Sequence, residues 1–379
     1  MPHRELTNEQ DCMDFITGLL FFGTGGGGSA QWGLSLLREL LDEGYSIQWV
    51  DIDDIPDGAL TCTAYGTGSI SEDVPDTEEE IRALGEKKGL PYKWGSKVLD
   101  HAVIELEEYV GKKIQAIIPA ELGAGNLVAA LATGIRLGKL VADGDYGGRA
   151  YPEEMQSTLF LKGVAPFPLA IVDWWGDILL LKEACNSAMM ERIGKMLSVA
   201  AYGGAFVAAS LLDGRSTKRT IIPNSLTRSL EVGRSIRLAA EDDNDPVKAA
   251  LESAGGWLLF EGVVQGKEWE DMEGLMVGTT HIAGQGRFAG KVMEIYFKNE
   301  NQATWINGEP YVCSPDLVSV LDRDTGIGLT NTEIEKGQEV AVVGTACNSI
   351  FRSKEALAWC GPRYFGLDIE YKPIEDLVS

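Results

Sequence analysis

Three glycine-flanked clusters hold the groups of this sequence best suited to chemistry. The first is Gly23-Thr24-Gly25-Gly26-Gly27-Gly28, in which four consecutive glycines follow an apolar run. Glycine tolerates positive φ and has no Cβ to hold a ligand away, so the amides of Gly25, Gly26, Gly27 and Gly28 could line an anion-binding hollow. A helical pattern begins just after them and would aim its positive dipole end at the same place. The second cluster is Pro119-Ala120-Glu121-Leu122-Gly123-Ala124-Gly125-Asn126, which follows a strand pattern. It offers Glu121 and Asn126 at the strand's carboxyl end, the edge where open α/β sheets place their sites. The third opens with Asp143 and Asp145, two apart and so on one face of an extended segment, and continues through two glycines to Arg149 and Glu153. If the three converge, Glu121, Asp143 and Asp145 supply a general base or a hard-metal site, the glycine amides steady developing negative charge, and Arg149 pairs with an acid or clamps a substrate carboxylate. Carboxylates without histidine suit magnesium or manganese better than zinc.

Each cluster also has a plainer reading. An Asp-x-Asp pair alone is a solvated turn, and a glycine loop alone is a tight connection. Gly23, Gly25 and Gly28 also fit the GxGxxG spacing, and the strand pattern at 45–50 ends in Asp51 and Asp53, where a dinucleotide fold keeps its ribose-binding acid. Nucleotide binding therefore stands as an alternative. The three histidines, His3, His101 and His281, are far apart in sequence, which argues against a histidine-rich zinc hydrolase. The six cysteines form no CxxC pair and read as reduced thiols. Cys185 and Cys347, each within Ala-Cys-Asn-Ser, have no histidine nearby and read as core or loop residues.

The elements that must position these clusters read as a layered α/β unit followed by a β-rich one. A chain of 379 residues is long enough for about two or three domains. Strand patterns at 19–22, 47–51, 60–65 and 114–119 alternate with helical ones at 34–43, 77–84, 96–109 and 126–135, and the charged stretch 71–93 reads as a mobile flap. A hairpin is expected at 169–173 and 178–182, then helices at 187–200 and 225–240 around a strand at 205–211. From Trp257 onward alternating strands separated by turns suggest a small β-barrel or sandwich, and within it 299–301 and 315–317 read as structural turns. The acidic segment 241–246 divides the expected units, 1–245 and 246–379. The formal charge of −24 disfavours nucleic acid and anionic membrane surfaces. A small-molecule substrate and a second copy of the chain remain as partners, and a homo-oligomer is the ordinary expectation for a soluble enzyme. The N-terminus has no apolar signal core, so a cytoplasmic location is expected.

The ordered motifs resemble those of the S-methyl thiohydantoin desulfurase-like proteins, a family associated with hydantoinase and oxoprolinase genes. The resemblance rests on the 23–28 glycine signature, on 121–126, and on Asp143-Gly144-Asp145-Tyr146-Gly147-Gly148-Arg149-Ala150-Tyr151-Pro152-Glu153. It continues in Asn299-Glu300, Ser314-Pro315-Asp316-Leu317 and Gly361-Pro362-Arg363-Tyr364-Phe365-Gly366. It implies an N-terminal three-layer α/β domain, a β-barrel-like C-terminal domain, and hydrolytic removal of sulfur from a five-membered thiohydantoin ring. On that reading Asp145 or Glu121 is the base, Asp143 is a further catalytic candidate, the amides of the glycine loop are the donors, Arg149 anchors the substrate, and Asn126 and Glu153 also contact it. A divalent metal on Asp143, Asp145 and Glu121 is an open option. Tyr146-Gly147 replaces an expected Gly-Met, so a related cyclic amide is a second possible substrate. A non-catalytic subunit of a hydantoinase-like complex is a further alternative.

Overall fold

The computed structural model describes residues 4–70, 74–75 and 77–378. His3 and part of the expected flap, residues 71–73 and 76, lie outside that set. The remainder of the flap contains a helix, Glu78–Lys88, started by a capping box between Thr77 and Glu80.

The first long element departs from the sequence reading. Residues 19–22, expected as a strand, form the last turn of the helix Glu9–Phe22, whose start is capped by the Asn8 side chain accepting from the Asp11 amide. Cys12, Phe15, Leu19 and Phe22 are fully buried, and Ile16, Leu20 and Phe21 nearly so. Without a solvated stripe, its apolar end reads the same as a buried strand. The cause of the burial is a neighbour, the helix Ser225–Glu241. A Cβ on Gly18 would stand 1.7 Å from the Ser229 carbonyl oxygen, and one on Gly233 would stand 1.7 Å from that of Asp14. The two helices therefore meet backbone to backbone.

The first sheet has six strands in the order Leu140–Val141, Ala116–Pro119, Leu60–Gly68, Gly204–Asp213, Leu169–Asp173, Ile178–Leu181. The first three run parallel and the remaining pairings are antiparallel. Successive side chains enter opposite cores, as the strand period requires. Ala170, Val172, Phe206 and Ala208 join the core beneath the helices Val98–Val110 and Asn126–Arg136. Leu169, Ile171, Ala205 and Val207 join the one beneath the helix Ser187–Ala200. This is the expected three-layer arrangement, and the hairpin around Trp174 and Trp175 forms as expected.

The second sheet is antiparallel with eight strands, beginning at Trp257, beyond the acidic segment. It does not close into a barrel, which corrects the β-barrel expectation. Its end strands, Glu309–Cys313 and Gly328–Leu329, each pair on one side only. The physical reason is that both faces are already covered. In the strand Glu339–Thr345, Val340 and Val342 enter the sheet's own core, whereas Ala341 and Val343 enter the core shared with the first helix. Among the described residues no helix is long and apolar enough to cross a membrane.

Candidate active site

The four-glycine loop joins two helices, Glu9–Phe22 and Ala30–Asp42, and not a strand to a helix. That removes the βα context a dinucleotide fingerprint requires. The glycines are needed for close packing against the protein itself. A Cβ on Gly27, whose φ is +85°, would lie 2.4 Å from the Gly123 Cα, and one on Gly28 would lie 3.2 Å from the Gly125 Cα. The Gly27 carbonyl accepts from both the Gly125 and the Asn126 amide at 3.1 Å, so the first two glycine clusters interlock. Gly25 packs on Asn301 of the second sheet and on Asn331, in the turn after the strand Gly328–Leu329, and the Asn331 amide donates to its carbonyl at 2.8 Å. Gly27 and Gly28, whose amides find no acceptor among the described residues, line a cavity of about 470 Å³.

That cavity lies where both sheets meet the carboxyl ends of the parallel strands. Glu121, just beyond Ala116–Pro119, lines it and is held through both oxygens: Asn126 Nδ2 donates to Oε1 at 2.7 Å and the Tyr151 amide to Oε2 at 2.9 Å. Asn126 is itself fixed by the Gly66 amide, which donates to its Oδ1 at 2.9 Å. Facing this group is Glu300, which opens the strand Glu300–Ile306 of the second sheet. A Cβ on Gly26 would stand 2.0 Å from Glu300 Oε1, so residue 26 must be glycine for this carboxyl to lie here. Glu300 Oε2 meets no donor among the described residues.

Burial and the charge of Glu121 push the Glu300 carboxyl up to about 8, against the opposing pull of Arg149 and Lys195. Glu121 is also raised by burial, but its two amide donors, Lys195 and Arg149 all favour the ionised form. Two buried carboxyls facing each other do not both ionise readily, and their hydrogen bonds decide which one does. The donors at Glu121 favour ionisation there, and Glu300, with an oxygen that meets no donor among the described residues, is the member of the pair more readily protonated. Farther along the wall, Glu154 is pushed up to about 8 by burial and by the Glu191 charge. Lys195, almost wholly buried, lies 3.8 Å from Glu191 and donates to the Gly68 carbonyl at 3.3 Å.

The remaining candidates occupy other positions. Asp143 accepts from the Leu226 and Thr227 amides at 3.1 Å each, from the Thr227 hydroxyl at 2.5 Å and from Arg4 at 3.1 Å. It thereby holds the start of the helix Ser225–Glu241. Asp145 is fully buried, accepts from the amides of Gly147 and Gly148 at 2.8 and 2.6 Å, and is raised to about 7 by burial. Neither aspartate lines the cavity. Arg149 donates to the Thr24 hydroxyl at 2.9 Å and to the Asn301 carbonyl at 2.8 Å, bracing the glycine loop against the second sheet behind the cavity wall. Glu153 lines the cavity and is paired with Lys298 at 2.7 Å. Glu121, Asp143 and Asp145 do not assemble as a donor set, and no group of three His, Cys, Asp or Glu suited to a metal occurs among the described residues. Asp51 is bound to Arg4 at 2.6 Å, away from the cavity, and Asp53 does not line it either. His281 faces Glu294 on an outer part of the second sheet, Cys185 is exposed, and the Cys347 thiol is pushed up to about 12 by burial.

Two sequence models of one family match the chain end to end. Residues 10–183 match the S-Me-THD-like N-terminal domain and residues 185–374 the S-Me-THD-like C-terminal domain. The chain belongs to the S-Me-THD-like family. A crystal structure of a protein from Chromobacterium violaceum shares the fold, with a TM-score of 0.77 and 19% identity over 98% of this chain and 100% of that one. No curated protein matches the sequence. Both S-Me-THD-like domains contribute to the cavity, Glu121 from the first and Lys195 and Glu300 from the second.

Sequence reasoning passed over Glu300, Glu154, Glu191 and Lys195 as site residues. Glu191 and Lys195 did carry a signal, opposite charges four apart on the face of a helix that also buries Met190 and Ser198. Glu300 sits in a strand-end motif that local pattern reads as a turn.

Proposed function

We propose that the protein is a hydrolase that removes sulfur from a thiohydantoin-type five-membered ring. The observation that carries the reading is the pair of buried carboxyls lining one cavity, Glu121 accepting from Asn126 and the Tyr151 amide and Glu300 with an oxygen that meets no donor among the described residues, beside Gly27 and Gly28. In an S-alkylated ring, water adds to C2 while Glu121 takes its proton. The C2–nitrogen π pair moves to nitrogen, where the proton from Glu121 is delivered. The tetrahedral intermediate then collapses: the C2–sulfur bond breaks, the sulfur leaves as a thiol with the proton of Glu300, and the hydroxyl proton restores Glu300 as C2 becomes a carbonyl. The amides of Gly27 and Gly28 steady the charge that develops during addition, as oxyanion donors do.

The metal candidates do not come together, so no step passes through a metal. A nucleotide reading meets two obstacles, a glycine loop that follows a helix and a cavity wall rich in carboxylates that repels phosphate. A non-catalytic subunit has no need of a buried acid facing a buried base. The test is release of methanethiol or hydrogen sulfide from a panel of S-methylated and free 2-thiohydantoins, run with and without a chelator. Release in both conditions is expected. Folded protein that releases neither contradicts the proposal.

A further inference from the structure

The cavity is far larger than a five-membered ring requires, and its two ends differ in chemistry. It is bordered by the end of the strand Leu60–Gly68, at residues 65–68. On the side of the helix Ser187–Ala200 its wall is Glu154, Glu191 and Lys195. On the other side the wall is aromatic. Phe206 lies between Trp32, at 5.8 Å between ring centroids, and Trp174, at 5.6 Å and edge-on. Phe206 and Trp174 are almost wholly buried, and Trp32 projects from the first turn of the same helix whose preceding loop carries the Gly27 and Gly28 amides. A ring placed between Glu121 and those amides therefore has an aromatic recess beside it. Aromatic walls favour another aromatic group through area burial and edge-to-face contact.

Resting on the hydrolase reading, we infer that the substrate ring carries an uncharged aromatic or branched aliphatic substituent, seated against Trp32, Phe206 and Trp174. The carboxylates elsewhere in the cavity set the charge preference. With Lys195 as the cation lining it among the described residues, an acidic substituent is repelled.

The test is calorimetric binding of three unreactive product rings, 5-benzylhydantoin, unsubstituted hydantoin and 5-carboxymethylhydantoin, to the full-length protein. The benzyl ring binds about tenfold or more tighter than the unsubstituted one, as burial of a phenyl group requires, and the carboxymethyl ring binds weakest. In Trp32→Ala the benzyl preference falls, while affinity for the unsubstituted ring stays within about twofold. Trp174→Leu supplies a second variant in case either one fails to fold. Binding of all three rings with no benzyl preference, or a preference that survives in both folded variants, overturns this inference and leaves the hydrolase reading standing. Failure of every ring to bind overturns this inference, and the release assay decides the hydrolase reading separately.

Discussion

Glu300 shows how one side chain can set the requirements of its neighbours. Its carboxyl occupies the space a Cβ on residue 26 would need, so Gly26→Ala drives it from its position opposite Glu121. Turnover in that variant should fall by about 10²-fold or more, the range for loss of a positioned acid, with the secondary structure intact by circular dichroism. Protonation adds a second expectation. Glu300 and Glu154 are pushed up to about 8 from an ordinary 4.5. Across that window the folded state holds protons that the unfolded chain has released. Their stabilising contribution is therefore complete below about pH 4.5 and is lost as pH rises toward about 8. Glu300→Gln should flatten the decline in melting temperature from about pH 5 to about pH 8, and slopes identical to wild type would contradict the assignment.

At the scale of elements, loops and helix ends are tied by groups that at first sight look catalytic. Asp143 caps the helix Ser225–Glu241 and pairs with Arg4. Asp143→Ala should cost roughly 2–4 kcal/mol in denaturant unfolding, the sum of a lost cap and a lost charged hydrogen bond, while kcat of the folded fraction stays near wild type. A loss of kcat without a loss of stability would return Asp143 to the chemistry. Gly27→Ala combines positive φ with a clash against Gly123, and roughly 2–5 kcal/mol of destabilisation is expected, read from the same unfolding curves. The hairpin 169–182 was legible because two short apolar runs flank the compact segment Trp174-Trp175-Gly176-Asp177. The 126–135 helix was legible because its apolar face repeats at helical spacing. The strand expected at 19–22 was not, since a helix end packed on nearly every side loses the periodicity that distinguishes it. The glycine run announced a close approach, but sequence could not say that the approaching group was the chain's own Gly123 and Gly125.

At the scale of the whole molecule, the site exists only where two sheets meet. Glu121 could be picked from sequence because its own strand and loop place it, whereas Glu300 and Lys195 reach the cavity through packing between elements far apart in the chain. The folding unit is equally non-local. The strand Gly204–Asp213 lies between Leu60–Gly68 and Leu169–Asp173, so the first sheet depends on residues beyond 183. A fragment of residues 1–183 should lack a cooperative thermal transition, because it leaves the middle of that sheet unpaired. A sharp transition in that fragment would contradict the dependence. If a carboxylate held by Asn126 and the Tyr151 amide activates water against a thiohydantoin carbon, removing its charge stops the reaction. Thiol release from an S-methylated 2-thiohydantoin is measured for wild type and Glu121→Gln under saturating substrate. Wild type should release thiol, and kcat should fall by about 10²–10⁴-fold in the variant, with the product ring still bound. Equal rates for the two proteins would contradict it.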